Sequence, residues 1–141
     1  MDVLTSCFRG AYNFKRLVKN EKIFMSGVVT FSDLGGGKYR YDEVGTYMKH
    51  EAPKNCFQTR FFIIKDSFLI IQKIDRSALH EFQIPQDFSL PLMFLHTHQC
   101  KNDAYELLLT IVSKNKFKTV YKIKGPHKSE NIQTIYTRCG V

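Results

Sequence analysis

The chain has 141 residues and a formal net charge of +8, from 21 Lys and Arg against 13 Asp and Glu. Hydrophobic residues make up 43% and aromatic residues 13%, with 12 Phe, 7 Tyr and no Trp. Such content excludes a disordered chain, because disordered chains lack the apolar surface that offsets ordering entropy, and the length points to a single domain over 1–141. No apolar run approaches the roughly 20 residues of a spanning helix, so no membrane association is expected. The opening Met1-Asp2-Val3-Leu4-Thr5-Ser6-Cys7 holds an early acid and no long apolar stretch, so no secretory leader is expected either. Cys7, Cys56, Cys100 and Cys139 form no CxxC pair. Reduced thiols and a cytoplasmic location follow as expectations.

Taken in chain order, the pattern is alternation rather than helical period. Tyr12, Phe14 and Arg16 share one face of a first strand, and Gly27, Val29 and Phe31 one face of a second. Gly35-Gly36-Gly37 marks a tight turn, since glycine takes positive φ at little cost. Tyr39, Tyr41, Glu43, Gly45 and Tyr47 then alternate strictly. The aromatic and β-branched stretch Cys56 to Lys65 places Arg60 beside Phe62 and Ile64, and Lys65-Asp66-Ser67 separates it from Phe68 to Lys73. A short strand is expected at Leu79–Phe82, with His80 and Phe82 on one face. Two prolines make 84–91 a loop. Phe94, His96, His98 and Cys100 share the next face.

The segment 103–112 is ambiguous. Asn102 would cap a helix and Ala104, Leu107, Leu108 and Ile111 would line its apolar side. The run Thr110-Ile111-Val112 and the neighbouring strands favour β. Phe117–Lys124 and Glu130–Arg138 complete the set, split by Gly125-Pro126-His127. About nine or ten strands at this spacing predict an all-β chain. An up-and-down antiparallel barrel, with at most a short N-terminal helix, disposes of the sheet edges.

Setting the inward face by the aromatics places ionisable groups among them. Arg16, Glu43, Arg60, His80, His98, Asp103, Tyr105 and Tyr121 become candidate ligand-binding residues. Buried charge is costly unless paired, hydrogen-bonded or bound to something. The competing explanation is a slip of one residue, which turns any such group to solvent. Two arginines on this face, Arg16 and Arg60, suit a carboxylate or phosphate. His96, His98 and Cys100 are metal-ligand types, but same-face neighbours stand ~7 Å apart along a strand, so neither a metal site nor a cofactor is expected. Lys116, Lys118, Lys122 and Lys124 share parity and read as a solvated outer face. No nucleic-acid recognition signature accompanies them.

The ordered series Gly10-Ala11-Tyr12-Asn13-Phe14-Lys15-Arg16, Gly27-Val28-Val29, Tyr41-Asp42-Glu43, Arg60-Phe61-Phe62, Leu79-His80, His98-Gln99-Cys100-Lys101-Asn102-Asp103-Ala104-Tyr105, Gly125-Pro126-His127 and Thr134-Ile135-Tyr136-Thr137-Arg138 resembles a domain-of-unknown-function family of bacteria, fungi and plants. The resemblance covers nearly the whole chain and implies a lipocalin-like, calycin-type barrel with no established activity. It further implies that Tyr12, standing where such barrels carry tryptophan, packs on Arg138 to close one end. The expectation for function is a barrel that binds a small, partly apolar, anionic molecule. The alternatives are an enzyme (isomerase, cyclase or hydrolase) with His80 or His98 as acid–base groups oriented by Asp103 beside Tyr105, or a protein-interaction module using the basic outer face.

Overall fold

A computed structural model describes residues 2–140. They form one short helix, α1 (Asp2–Cys7), and ten strands: β1 (Gly10–Val18), β2 (Ile23–Gly35), β3 (Lys38–Lys49), β4 (Ala52–Lys65), β5 (Phe68–Lys73), β6 (Ala78–Gln83), β7 (Leu92–Cys100), β8 (Asp103–Ser113), β9 (Lys116–Gly125) and β10 (Lys128–Arg138). The strands make a single sheet in the order β6-β5-β4-β3-β2-β1-β10-β9-β8-β7. Every ladder is antiparallel. Chain neighbours pair throughout, except that β1 pairs with β10 and no ladder joins β6 to β7. The sheet is therefore a nearly closed up-and-down barrel with one seam, as the alternation predicts.

The segment 103–112 is strand, not helix. Leu107, Leu109 and Ile111 are buried on the inner face, and Leu108 and Thr110 alternate with them along β8. β8 pairs on both sides, with β7 and β9, so its backbone polar groups have partners that an isolated helix would not need. Lys116, Lys118, Lys122 and Lys124 are all exposed on the outer face of β9, while Phe117 points into the core.

One end of the barrel is plugged. Leu4, Cys7 and Phe8 of the α1 region are fully buried. The Phe8 ring lies 5.2 Å from Phe62 and 5.6 Å from Phe31. Such ring contacts add stabilisation beyond the area they bury. The Arg138 guanidinium sits 4.6 Å from the centre of the Tyr12 ring. Its Nη2 donates to the Tyr12 hydroxyl at 2.8 Å and to the carbonyls of Ser6 and Lys114. The expected Tyr12–Arg138 closure is thus present, and the hydroxyl adds a hydrogen bond that a tryptophan ring there would not accept.

Further along the barrel, β2 and β3 meet at Gly27 and Gly45, which are directly paired. Phe14 lies over both: a Cβ on Gly45 would stand 2.6 Å from its Cζ, and one on Gly27 2.8 Å from its Cε2. The glycines are there to admit the ring. Beyond this layer the interior opens toward the end that carries the β1–β2, β3–β4, β5–β6, β7–β8 and β9–β10 turns.

Candidate functional site

The open half of the barrel encloses a cavity of about 440 Å³, within the usual range for small-molecule sites. Its wall is built by period-two residues from most of the strands. Arg16 comes from β1, Tyr41 from β3, Gln58, Arg60 and Phe62 from β4, and Ile71 and Lys73 from β5. His98 and Cys100 come from β7, Tyr105 and Leu107 from β8, Tyr121 and Ile123 from β9, and Ile132, Thr134 and Tyr136 from β10.

Behind this wall Glu43 is buried. Arg16 grips it with two hydrogen bonds, Nη1 to Oε2 and Nη2 to Oε1, each 2.7 Å. Paired donors of this kind are the strong form of the ion pair. Tyr41 donates to Glu43 Oε1 at 2.5 Å and lies 3.0 Å from the Tyr136 hydroxyl. Arg16 Nε donates to Thr134 Oγ1 at 2.8 Å. Burial works against the Arg16 charge, but the hydrogen bond to Glu43 and the surrounding groups outweigh it and push its pKa up. Burial, then the neighbouring Tyr136 and Glu43, raises the Tyr41 phenol. Burial likewise raises Tyr121. Both hydroxyls are protonated donors at neutral pH.

The candidate residues thus divide. Arg16, Arg60, His98, Tyr105 and Tyr121 line the cavity. Glu43 and His80 are buried and absent from its wall. The expectation that Arg16 serves as a free counter-charge is corrected, because Glu43 neutralises it. Asp103 is also absent from the wall. It pairs with Cys100, in keeping with the parity of the strand. However, it begins β8 at the rim, where its carboxylate crowds Gly125 and lies 4.0 Å from Lys128 Nζ. Sequence reasoning missed Lys73 and Gln58 on the wall. Gln58 could have been found by extending the Arg60–Phe62 alternation, whereas Lys73 needed the β4–β5 register.

The histidines do something else. At the seam between β6 and β7, His80 Nδ1 and His96 Nδ1 are 2.9 Å apart, so one donates to the other. Phe82 and Phe94 pack beside them as tilted rings with centres 5.2 Å apart. Side chains thus bridge the seam that no backbone ladder closes. No His among the described residues hydrogen-bonds a carboxylate, so Asp103 does not orient an imidazole. No three His, Cys, Asp or Glu among them are grouped to hold a metal ion.

Burial first, then the charges of His96, His98 and Arg60, holds the His80 pKa down at about 3, against about 6.5 for an unfolded histidine. Between these values the unfolded chain takes up a proton and the folded chain does not. His80's contribution is therefore fully present above about pH 6.5 and falls as pH drops through the window toward 3. We expect the urea midpoint of the wild type to fall from pH 7 to pH 4 more steeply than that of His80→Gln. The stability slopes should differ by about 1.4 kcal/mol per pH unit near pH 5. Parallel pH profiles would contradict a neutral buried His80.

Fold and site together define a β-barrel with a walled internal cavity. The model of a family of unknown function, DUF6314, matches residues 8–138, and the chain belongs to that family. No curated protein matches the sequence. Among solved structures, the chain is similar to the S-type phycobiliprotein lyase CPES from Guillardia theta, with a TM-score of 0.67, 10% identity, and coverage of 98% of this chain and 92% of that one. It is also similar to EF1p2_mFAP2b bound to DFHBI, with a TM-score of 0.58, 13% identity and 98% of each chain covered. A third is a de novo designed fluorescence-activating β-barrel, at a TM-score of 0.55, 10% identity, and coverage of 98% of this chain and 99% of that one. At these identities the likeness shows the barrel alone.

Proposed function

We propose that this protein binds a small, partly apolar, anionic molecule in the barrel cavity. The observation that carries the reading is the wall itself. It combines aromatic and aliphatic side chains with Arg60 and Lys73, and among the described residues it holds no carboxylate. The interior is thus a lined pocket at one end and a packed core at the other. The similar barrel with bound DFHBI supports the reading by analogy of fold. The free thiols of Cys7, Cys56, Cys100 and Cys139 support a reducing, cytoplasmic setting. An acid–base enzyme on this barrel finds less support, since His80 is engaged with another histidine rather than a carboxylate.

The test is a titration with N-phenylnaphthylamine, which brightens in apolar sites. The wild type should bind one equivalent. Ile123→Trp, which fills the wall near the open end, should weaken binding by about 10-fold or more, the loss of a good apolar fit. No saturable binding, or equal binding by the variant, would overturn the proposal.

A further inference from the structure

The cavity wall carries three cations, and they are not equivalent. Arg16 is spent on Glu43. Arg60 and Lys73 are directly opposite each other in the β4–β5 ladder, and both face the cavity. Like charges directly opposite destabilise a sheet. Among the described residues no carboxylate lies within 4.0 Å of either, and Lys73 acts only at longer range, on the exposed Asp75 just beyond β5. Two acids of the flanking segments accept hydrogen bonds from other residues. Asp42 accepts from Arg40 and Thr59, and Asp75 accepts from Ser77. Arg60 itself donates through Nη1 to the Thr59 carbonyl at 3.0 Å, which leaves the rest of its guanidinium fork for another acceptor. Its charge is felt across the cavity, where it works against the burial that raises Tyr121.

Around the Arg16–Glu43 pair the polar groups are neutral donors or already neutralised, and one of them, Tyr41, pairs directly with Arg60 across β3 and β4. Tyr41, Tyr136 and Thr134 present hydroxyls around the Arg16–Glu43 pair. An anionic ligand therefore meets cations without a close carboxylate partner only on the β4–β5 side. Much of the remaining wall is apolar, with Phe62, Ile71, Leu107, Ile123 and Ile132.

Resting on the binding reading above, we propose that Arg60 and Lys73 form an anion subsite, and that the cavity takes a flat apolar molecule bearing one carboxylate. The guanidinium fork receives both carboxylate oxygens in its plane, and the lysine ammonium reaches one of them. The flat body lies along the apolar wall, with its far end toward the Tyr136 hydroxyl on β10. The ligand supplies the close counter-ion that the wall lacks, so its binding also eases the cross-strand repulsion.

The experiment compares anthracene carboxylate with anthracene methanol, a neutral partner of nearly the same shape, followed by their fluorescence. The wild type should bind the carboxylate about 10-fold more tightly, the effect of a charge-assisted hydrogen bond. Arg60→Gln and Lys73→Gln should each abolish most of that preference and leave anthracene methanol binding within about 2-fold, which also shows that each variant is folded. Raised salt should weaken the carboxylate alone. Equal affinity for the two probes in the wild type, or a preference unchanged in both variants, would overturn the subsite while leaving the cavity reading intact. Failure of both probes to bind the wild type would overturn the cavity reading and the subsite with it.

Discussion

Replacing Glu43 with alanine is expected to cost the fold about 3–5 kcal/mol, the usual result of removing one partner from a buried ion pair. Arg16 has a side chain only 13% exposed, so it cannot recover its lost partner from bulk water. Tyr41 loses the acceptor of its 2.5 Å hydrogen bond at the same time. The cost is therefore mostly that of a stranded charge and not of a lost attraction. A second variant separates the two. Arg16→Met combined with Glu43→Leu removes both charges and should recover most of the stability, because a buried pair replaced by apolar residues of similar volume is often neutral. Urea unfolding of the single and double variants, followed by circular dichroism, provides the comparison. A loss below about 1 kcal/mol in Glu43→Ala would mean that the pair is solvated, as exposed pairs are.

Gly27→Ala is expected to cost about 3 kcal/mol or more, at the severe end of overpacking. Its new Cβ would press on the Val44 carbonyl oxygen, lie 2.5 Å from Gly45 Cα and lie 2.8 Å from Phe14 Cε2. Two of these neighbours are backbone of the paired strand and have no rotamer to escape into. Gly36→Ala is the informative contrast. Gly36 has φ +63 and no neighbour within 4 Å, so it should lose only the ~1 kcal/mol that a left-handed conformation costs a residue with a side chain. Thermal unfolding of the two variants should rank them in this order. Equal losses would mean that the Phe14 layer yields, and that the close approach of β2 and β3 is not fixed by the missing side chain.

The alternation of Tyr12, Phe14 and Arg16, or of Arg60, Phe62 and Ile64, was enough to predict strands and their inner faces, because side-chain period in a strand is fixed by the pleat. The barrel then followed from the need to close edges. The position of a residue along the barrel axis was not legible. Asp103 and Tyr105 have the same parity, yet Tyr105 lines the cavity and Asp103 does not. Periodicity reports the face and says nothing of the height. Partnership between strands was equally hidden. Arg16 and Glu43 are 27 residues apart in the chain, and nothing local marks either as the other's counter-ion. The same blindness to register made Arg16 look like the free cation and left Lys73 unnoticed beside Arg60. The histidines were visible as a group, but their role at the seam depended on knowing where the sheet fails to close.

That seam has a consequence for the order in which the molecule can be put together. The break falls in mid-chain, between β6 and β7, so the barrel consists of two meanders, β1–β6 and β7–β10, each assembled from successive hairpins. The one pairing that unites them, β1 with β10, joins Tyr12 to Arg138 across nearly the whole chain. It carries the greatest loop-closure entropy of any ladder here. A chain emerging from the ribosome can form the first meander with Tyr41, Glu43 and Arg16 already bonded to one another. The second meander arrives with its own stacked pair, Phe117 on Tyr136 at 4.1 Å. Until the two dock, β1 presents an unpaired edge, and the hollow that becomes the cavity exists only as two half-walls.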